Sequence, residues 1–199
     1  MTSHPAVFFS ELTNDRLNVI ASGLLDMRFE TVREMNSPYD DNYTRETAIF
    51  GRSKNMLIDL AMKGKYDWLS LKHAGMDITF NISRVPCRFF RDDPENPEKS
   101  GFFKRNAVDD LFSPDENTPV MWRFVVEKAL TDEDEDGVSF VGYNAYQEKV
   151  SEWTYQLGSS PIHSIDKVTP TATEIPPAVV EVRESAVEDV EVKNGTDKK

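Results

Sequence analysis

A chain of 199 residues with 39% hydrophobic and 11% aromatic side chains is long enough for one domain with a real core plus additional sequence. A net charge of −12 points to protein partners before polyanions, and Cys87, the one cysteine, excludes an internal disulfide and fits a reducing compartment. No apolar run approaches the roughly 20 residues that span a bilayer, and the opening residues lack the charged start and apolar run of a secretory leader, so a soluble cytoplasmic protein is expected.

Met1 to Ser10 leads into several candidate N-caps, after which Leu17, Ile20, Leu24 and Met27 recur at helical spacing. The spacing predicts a helix from Asn14 to Glu34, with Asp26, Arg28 and Glu30 mostly on its outer side. Asn36 to Asp41, rich in Ser, Asp and Pro, ends it in a turn. A second helical region starts near Thr44 and is broken at Gly51. There Ser53 is expected to cap a fresh helix carrying Met56, Leu57, Leu60 and Ala61, with Gly64 as its stop. On that reading Gly51-Arg52-Ser53-Lys54 sets backbone N–H groups and two cations at a helix start, a weak candidate anion cradle that lacks phosphate-loop spacing.

Residues 67 to 91 form the organising stretch. Trp68 to Lys72 alternates, His73-Ala74-Gly75 suits a short hairpin loop with Gly75 left-handed, and Asp77 to Ser83 alternates polar and apolar side chains without a break. A strand with one wet and one buried face is the expectation. Val85, Cys87 and Phe89 then share one face of a third strand and Arg88 and Phe90 the other, with Pro86 marking a strand start or an edge. Asp92 to Gly101 reads as a loop. Val108, Leu111 and Phe112 suggest a short helix. Met121 to Lys128 and Val138 to Tyr143 read as a hairpin around the charged tip Thr131 to Gly137. Asn144 is expected to cap a closing helix whose stripe is Tyr146, Val150, Trp153 and Leu157, docked on the sheet.

These elements predict one α+β domain over residues 8–158, with two N-terminal helices, a mainly antiparallel sheet of about five strands and a closing C-terminal helix. A disordered acidic tail is expected over 159–199, where Pro, Thr, Val, Glu and Lys dominate.

Residues 45 to 105 hold 12 basic and 8 acidic side chains, half of all the basic residues. Arg84, Arg88, Arg91, Lys99, Lys104 and Arg105 interleave there with Phe89, Phe90, Phe102 and Phe103. With Arg52, Ser53 and Lys54 they are the candidate anion or partner contacts, since cations track phosphates or carboxylates while rings stack. Aromatic residues at strand spacing are first of all core material. Weak catalytic candidates are His73 with Asp77, as an acid/base pair, and Asp92 with Asp93, as ligands for a divalent cation beside Asp77 or Glu127. No Cys/His spacing suits zinc, and Glu127-Lys128 lacks the Glu-X-Lys ending of a nuclease site. The expectation is therefore a non-catalytic regulatory protein, without cofactor or metal, that binds a protein or nucleic acid through this basic and aromatic segment. The alternative is a metal-dependent nuclease or other phosphoryl-transfer enzyme.

Overall fold

The computed structural model describes residues 2–104, 116–129 and 136–156. A single 3-10 turn, Pro5–Val7, precedes α1 (Asn14–Glu34) and α2 (Asn42–Met62). Six strands follow: β1 (Leu69–His73), β2 (Thr79–Ile82), β3 (Val85–Arg91), β4 (Met121–Glu127), β5 (Gly137–Tyr143) and β6 (Lys149–Thr154). They form one sheet in sequence order, antiparallel at every pairing except β3 with β4, which is parallel. The architecture is α+β, with a mixed sheet.

Leu17, Ile20, Ala21 and Leu24 of α1 are buried, as the helical spacing requires. The same stripe continues through Arg28, which is 3% exposed although its type placed it on the outside. Its guanidinium is paired there: Nε donates to Asp136 at 2.5 Å and Nη1 lies 3.3 Å from Glu46. Asp41 caps α2 by accepting from the amide of Thr44 at 2.7 Å, and that hydrogen bond holds its carboxyl below the usual range. The helix then runs unbroken through Gly51. Ile49, Ser53 and Leu57, at i, i+4 and i+8, are buried together, and that packing outweighs the roughly 1 kcal/mol cost of an interior glycine.

The helices cover one sheet face, where Leu69, Ile78, Phe80, Ile82, Val85, Cys87 and Phe124 meet them in the main core. Trp122 stacks on Phe140 with centroids 5.2 Å apart, while Phe8 and Phe9 meet its edge. Gly142, opposite Trp122, has no room for a side chain: an added Cβ would come within 2.8 Å of both Pro119 and the indole. Pro86 is the second residue of β3, opposite Asn81 of β2 and ahead of the pairing with β4, which begins at Cys87.

Three further readings of the sequence need correction. The second sheet face is not wet: Met121, Val125, Val141 and Tyr143 form a smaller core there beneath Phe102 and Phe103 of the 92–104 segment. The closing helix is instead β6. Asn144 accepts from the amides of Tyr146 and Glu148, both at 2.9 Å, in a turn where Gln147 has φ 67°. Val, Thr and Trp suit a strand, and β6 completes the hydrogen bonds that β5 would otherwise leave open. Gly75 is also not left-handed; among the described residues positive φ falls at Gly64, Ser83, Gly101 and Gln147. The imidazole of His73 folds over Gly75 instead, where a Cβ would lie 2.5 Å from Nε2. The expected short helix at 108–112, the tip of the β4–β5 hairpin and the tail fall outside the described residues.

Candidate functional site

Two arginines stand side by side on the second sheet face, Arg88 of β3 in register with Arg123 of β4, at 6% and 1% exposure. Both reach into the 92–104 segment. Arg88 Nη1 donates to the carbonyls of Gly101 (3.3 Å) and Lys104 (3.5 Å). Arg123 donates through Nε to Phe102 (3.0 Å) and through Nη2 to Lys104 (3.4 Å). The ring of Phe90 lies within 5.0 Å of the Arg88 guanidinium and 6.0 Å of that of Arg123. A segment whose composition reads as loose loop is thereby bound to the sheet by charged donors on carbonyl oxygens.

Its other end is held just as firmly. Both carboxylate oxygens of Asp92 accept backbone amides, from Asp93, Glu98 and Lys99, at 2.8 to 3.2 Å. Asp93 accepts from the amide of Glu95 at 2.8 Å. The phenol of Tyr143 donates to Pro94 O at 2.6 Å; burial and then the nearby Glu95 and Glu152 carboxylates push its ionisation above the usual range. Lys149 bridges Glu95 and Glu152. Burial opposes its charge, but those two carboxylates hold its pKa above the ordinary lysine value. The carboxyl of Glu127 is raised, first by burial and then by Asp93, Glu152 and Glu95, against a 3.2 Å hydrogen bond from Ser139.

Between α2, β3 and this bound segment lies a cleft of about 500 Å³, walled by Tyr43, Glu46, Phe50, Arg88, Phe90 and Arg91. A second hollow of about 460 Å³ shares Arg91 and Lys99 with it and adds Asp92, Asp93 and Lys128. Both lie toward the C-terminal end of the parallel pair β3–β4, where Arg91, Asp92 and Lys128 follow one another off the strands. The acids of the walls are largely engaged. Glu46 serves Arg28 and Arg91, and Asp77 pairs with Arg88 at 3.2 Å and with Lys104 at 3.7 Å. Arg91 Nε, 3.2 Å from Glu46, lacks hydrogen-bond geometry to it, and Lys99 and Lys128 form no ion pair among the described residues.

The residues singled out by sequence are thus distributed over several places. Arg91 and Lys99 meet in the cleft, with Asp77 and Arg88 in its wall. Arg84 is remote, at the β2–β3 turn, paired with Glu11 at 3.0 Å and lying over Phe9. Arg52 pairs with Glu34 at 2.6 Å on the outer side of the helix pair. Ser53 is 2% exposed and, like Lys54, sits in the middle of α2, so the amides there are already bonded and no helix start exists to cradle an anion. His73 and Asp77 do not pair; the carboxylate turns to Arg88 and Lys104. Among the described residues no three of His, Cys, Asp and Glu come together as metal ligands. Arg105 lies outside the described residues.

Sequence reasoning missed Tyr43, Glu46, Phe50 and Lys128. None carries a local signal, because each joins the cleft only through the fold. Compared with known proteins, the chain matches no family model, no curated protein and no solved structure.

Proposed function

We propose that this is a non-catalytic binding protein that engages an acidic segment of a partner protein at the Arg91–Lys99–Lys128 cleft. The observation that carries the reading is that two hollows share Arg91 and Lys99, while Asp77 pairs with Arg88 and Lys104, Glu46 is shared by Arg28 and Arg91, and Asp92 and Asp93 accept backbone amides. Lys99 and Lys128, which form no ion pair among the described residues, beside an exposed Tyr43 and a half-buried Phe50 suit carboxylates interleaved with apolar side chains. A net charge of −12 opposes the long-range approach of a nucleic acid, which favours a short acidic stretch over a polyanion. A phosphoryl-transfer site built on Asp77, Asp92 and Asp93 has less support, since the first is paired and the other two organise backbone.

Titration with a labelled Glu- and Leu-containing peptide, and separately with a single-stranded oligonucleotide, tests the reading. Peptide affinity is expected to fall by about tenfold or more in Lys99→Glu/Lys128→Glu, roughly 1.4 kcal/mol, with Arg52→Glu as an unaffected control. Tighter oligonucleotide binding with a steep salt dependence would move the reading to nucleic acid. Mg²⁺-dependent strand cleavage lost in Asp77→Ala would replace it with the enzyme.

A further inference from the structure

Helix α1 carries two apolar stripes; the first is buried in the core, and of the second only Leu25 packs against it. Leu17, Ile20, Ala21 and Leu24 bury against the sheet, whereas Leu25, Phe29 and Val32, at i, i+4 and i+7, lie on a neighbouring face. Phe29 is 68% exposed and Val32 46%. Tyr155, just beyond β6, and Asp136, at the foot of β5, rise opposite them, and the groove between holds about 430 Å³. Its wall is mostly apolar carbon; the charged groups in its lining are Asp26 and Asp136, and the Arg33 guanidinium lies beside it, 5.8 Å from the Phe29 ring centroid. Asp136 already serves Arg28, while Asp26 is exposed and has no ion pair among the described residues.

We propose that this groove docks a cationic amphipathic helix of another protein, with apolar anchors along Leu25, Phe29 and Val32 and a Lys or Arg at Asp26. A helical row spaced i, i+4, i+7 is the complement that an apolar helix face with an acidic rim selects. The acid at the rim decides among occupants. A second copy docking face to face would set one Asp26 toward the other, and an anionic lipid surface would meet the same repulsion. This site is separate from the Arg91–Lys99 cleft and takes a ligand of the opposite charge.

The probe is a fluorescent 18-residue Leu/Lys peptide with helical amphipathic spacing, compared with its Leu/Glu counterpart and with a scrambled Leu/Lys sequence. The full chain is expected to bind the amphipathic Leu/Lys peptide at least about tenfold more tightly than either control. Phe29→Ser and Asp26→Lys should each weaken it by about that factor, without loss of circular dichroism or of the thermal midpoint, because both side chains are exposed. Lys99→Glu/Lys128→Glu should leave it unchanged, which separates this site from the acidic-partner cleft. Binding that ignores Phe29→Ser and Asp26→Lys, equal affinity for the Leu/Glu or scrambled peptide, or no binding at all overturns the proposal. So does a dimer in sedimentation velocity that Phe29→Ser dissolves, since the occupant is then a second copy.

Discussion

On the helix-covered face of the sheet, Phe80, Phe124 and Phe140 are buried among Leu, Ile and Val from α1 and β1 to β5. On the opposite face Phe90, Phe102 and Tyr143 also form an aromatic cluster, but their cover is a segment without helix or strand. That cover stays in place because Arg88, Arg123 and Tyr143 donate to its carbonyls and Asp92 accepts its amides. Apolar area closes most of the first face, with the Arg28 pairs to Asp136 and Glu46 at its edge. The second also needs directed hydrogen bonds, since an irregular segment brings backbone polar groups that no ladder satisfies.

The comparison can be broken by mutation. Phe124→Ala, with no polar partner lost, should cost about 3–5 kcal/mol in denaturant unfolding. Arg88→Met should cost less, roughly 1–3 kcal/mol, and the loss should be local. Amide exchange at Phe102 and Lys104 should accelerate while Phe80 and Phe140 keep their protection. Uniform acceleration across the sheet would mean that the two faces are not separately closed.

The smallest effect is expected at Glu127, on the rim where the segment meets the β4–β5 hairpin. Its folded pKa lies above the ordinary value of 4.5, so its proton is held more tightly in the folded chain. The associated stability is present below the unfolded value and is lost as pH rises through the folded one. Glu127→Gln should therefore match wild type in acid and exceed its thermal midpoint slightly near neutrality. A variant less stable than wild type at pH 7 would show instead that the Ser139 hydrogen bond outweighs burial.

The helix-covered face was legible because burial against a regular partner imposes a period. Leu17, Ile20 and Leu24 announce α1 to its observed ends, and Ile78, Phe80 and Ile82 announce β2. The stripe Tyr146, Val150, Trp153 announced a helix by the same rule and misled. The choice between periods there was made by β5, whose free edge β6 satisfies. Gly51 misled similarly, since a break that is cheap in isolation is overridden when Ile49, Ser53 and Leu57 are buried on one line. Of the cleft, Arg91 and its local cluster could be singled out. Glu46 and Lys128, far from it in sequence, could not.

The order of letters alone determined α1, the strands from residue 69 to 91, the β4–β5 hairpin and the surplus of cations near the sheet. Each depends on neighbours within one turn or one strand, where side-chain spacing and backbone geometry are tied together. Tertiary contact alone decided that β3 and β4 run parallel, that Arg28, Arg88 and Arg123 go inside, and that Arg91, Lys99 and Lys128 share a cleft. A buried charge is tolerable only where a carboxylate or carbonyl arrives from elsewhere in the chain, and that arrival is a property of the fold.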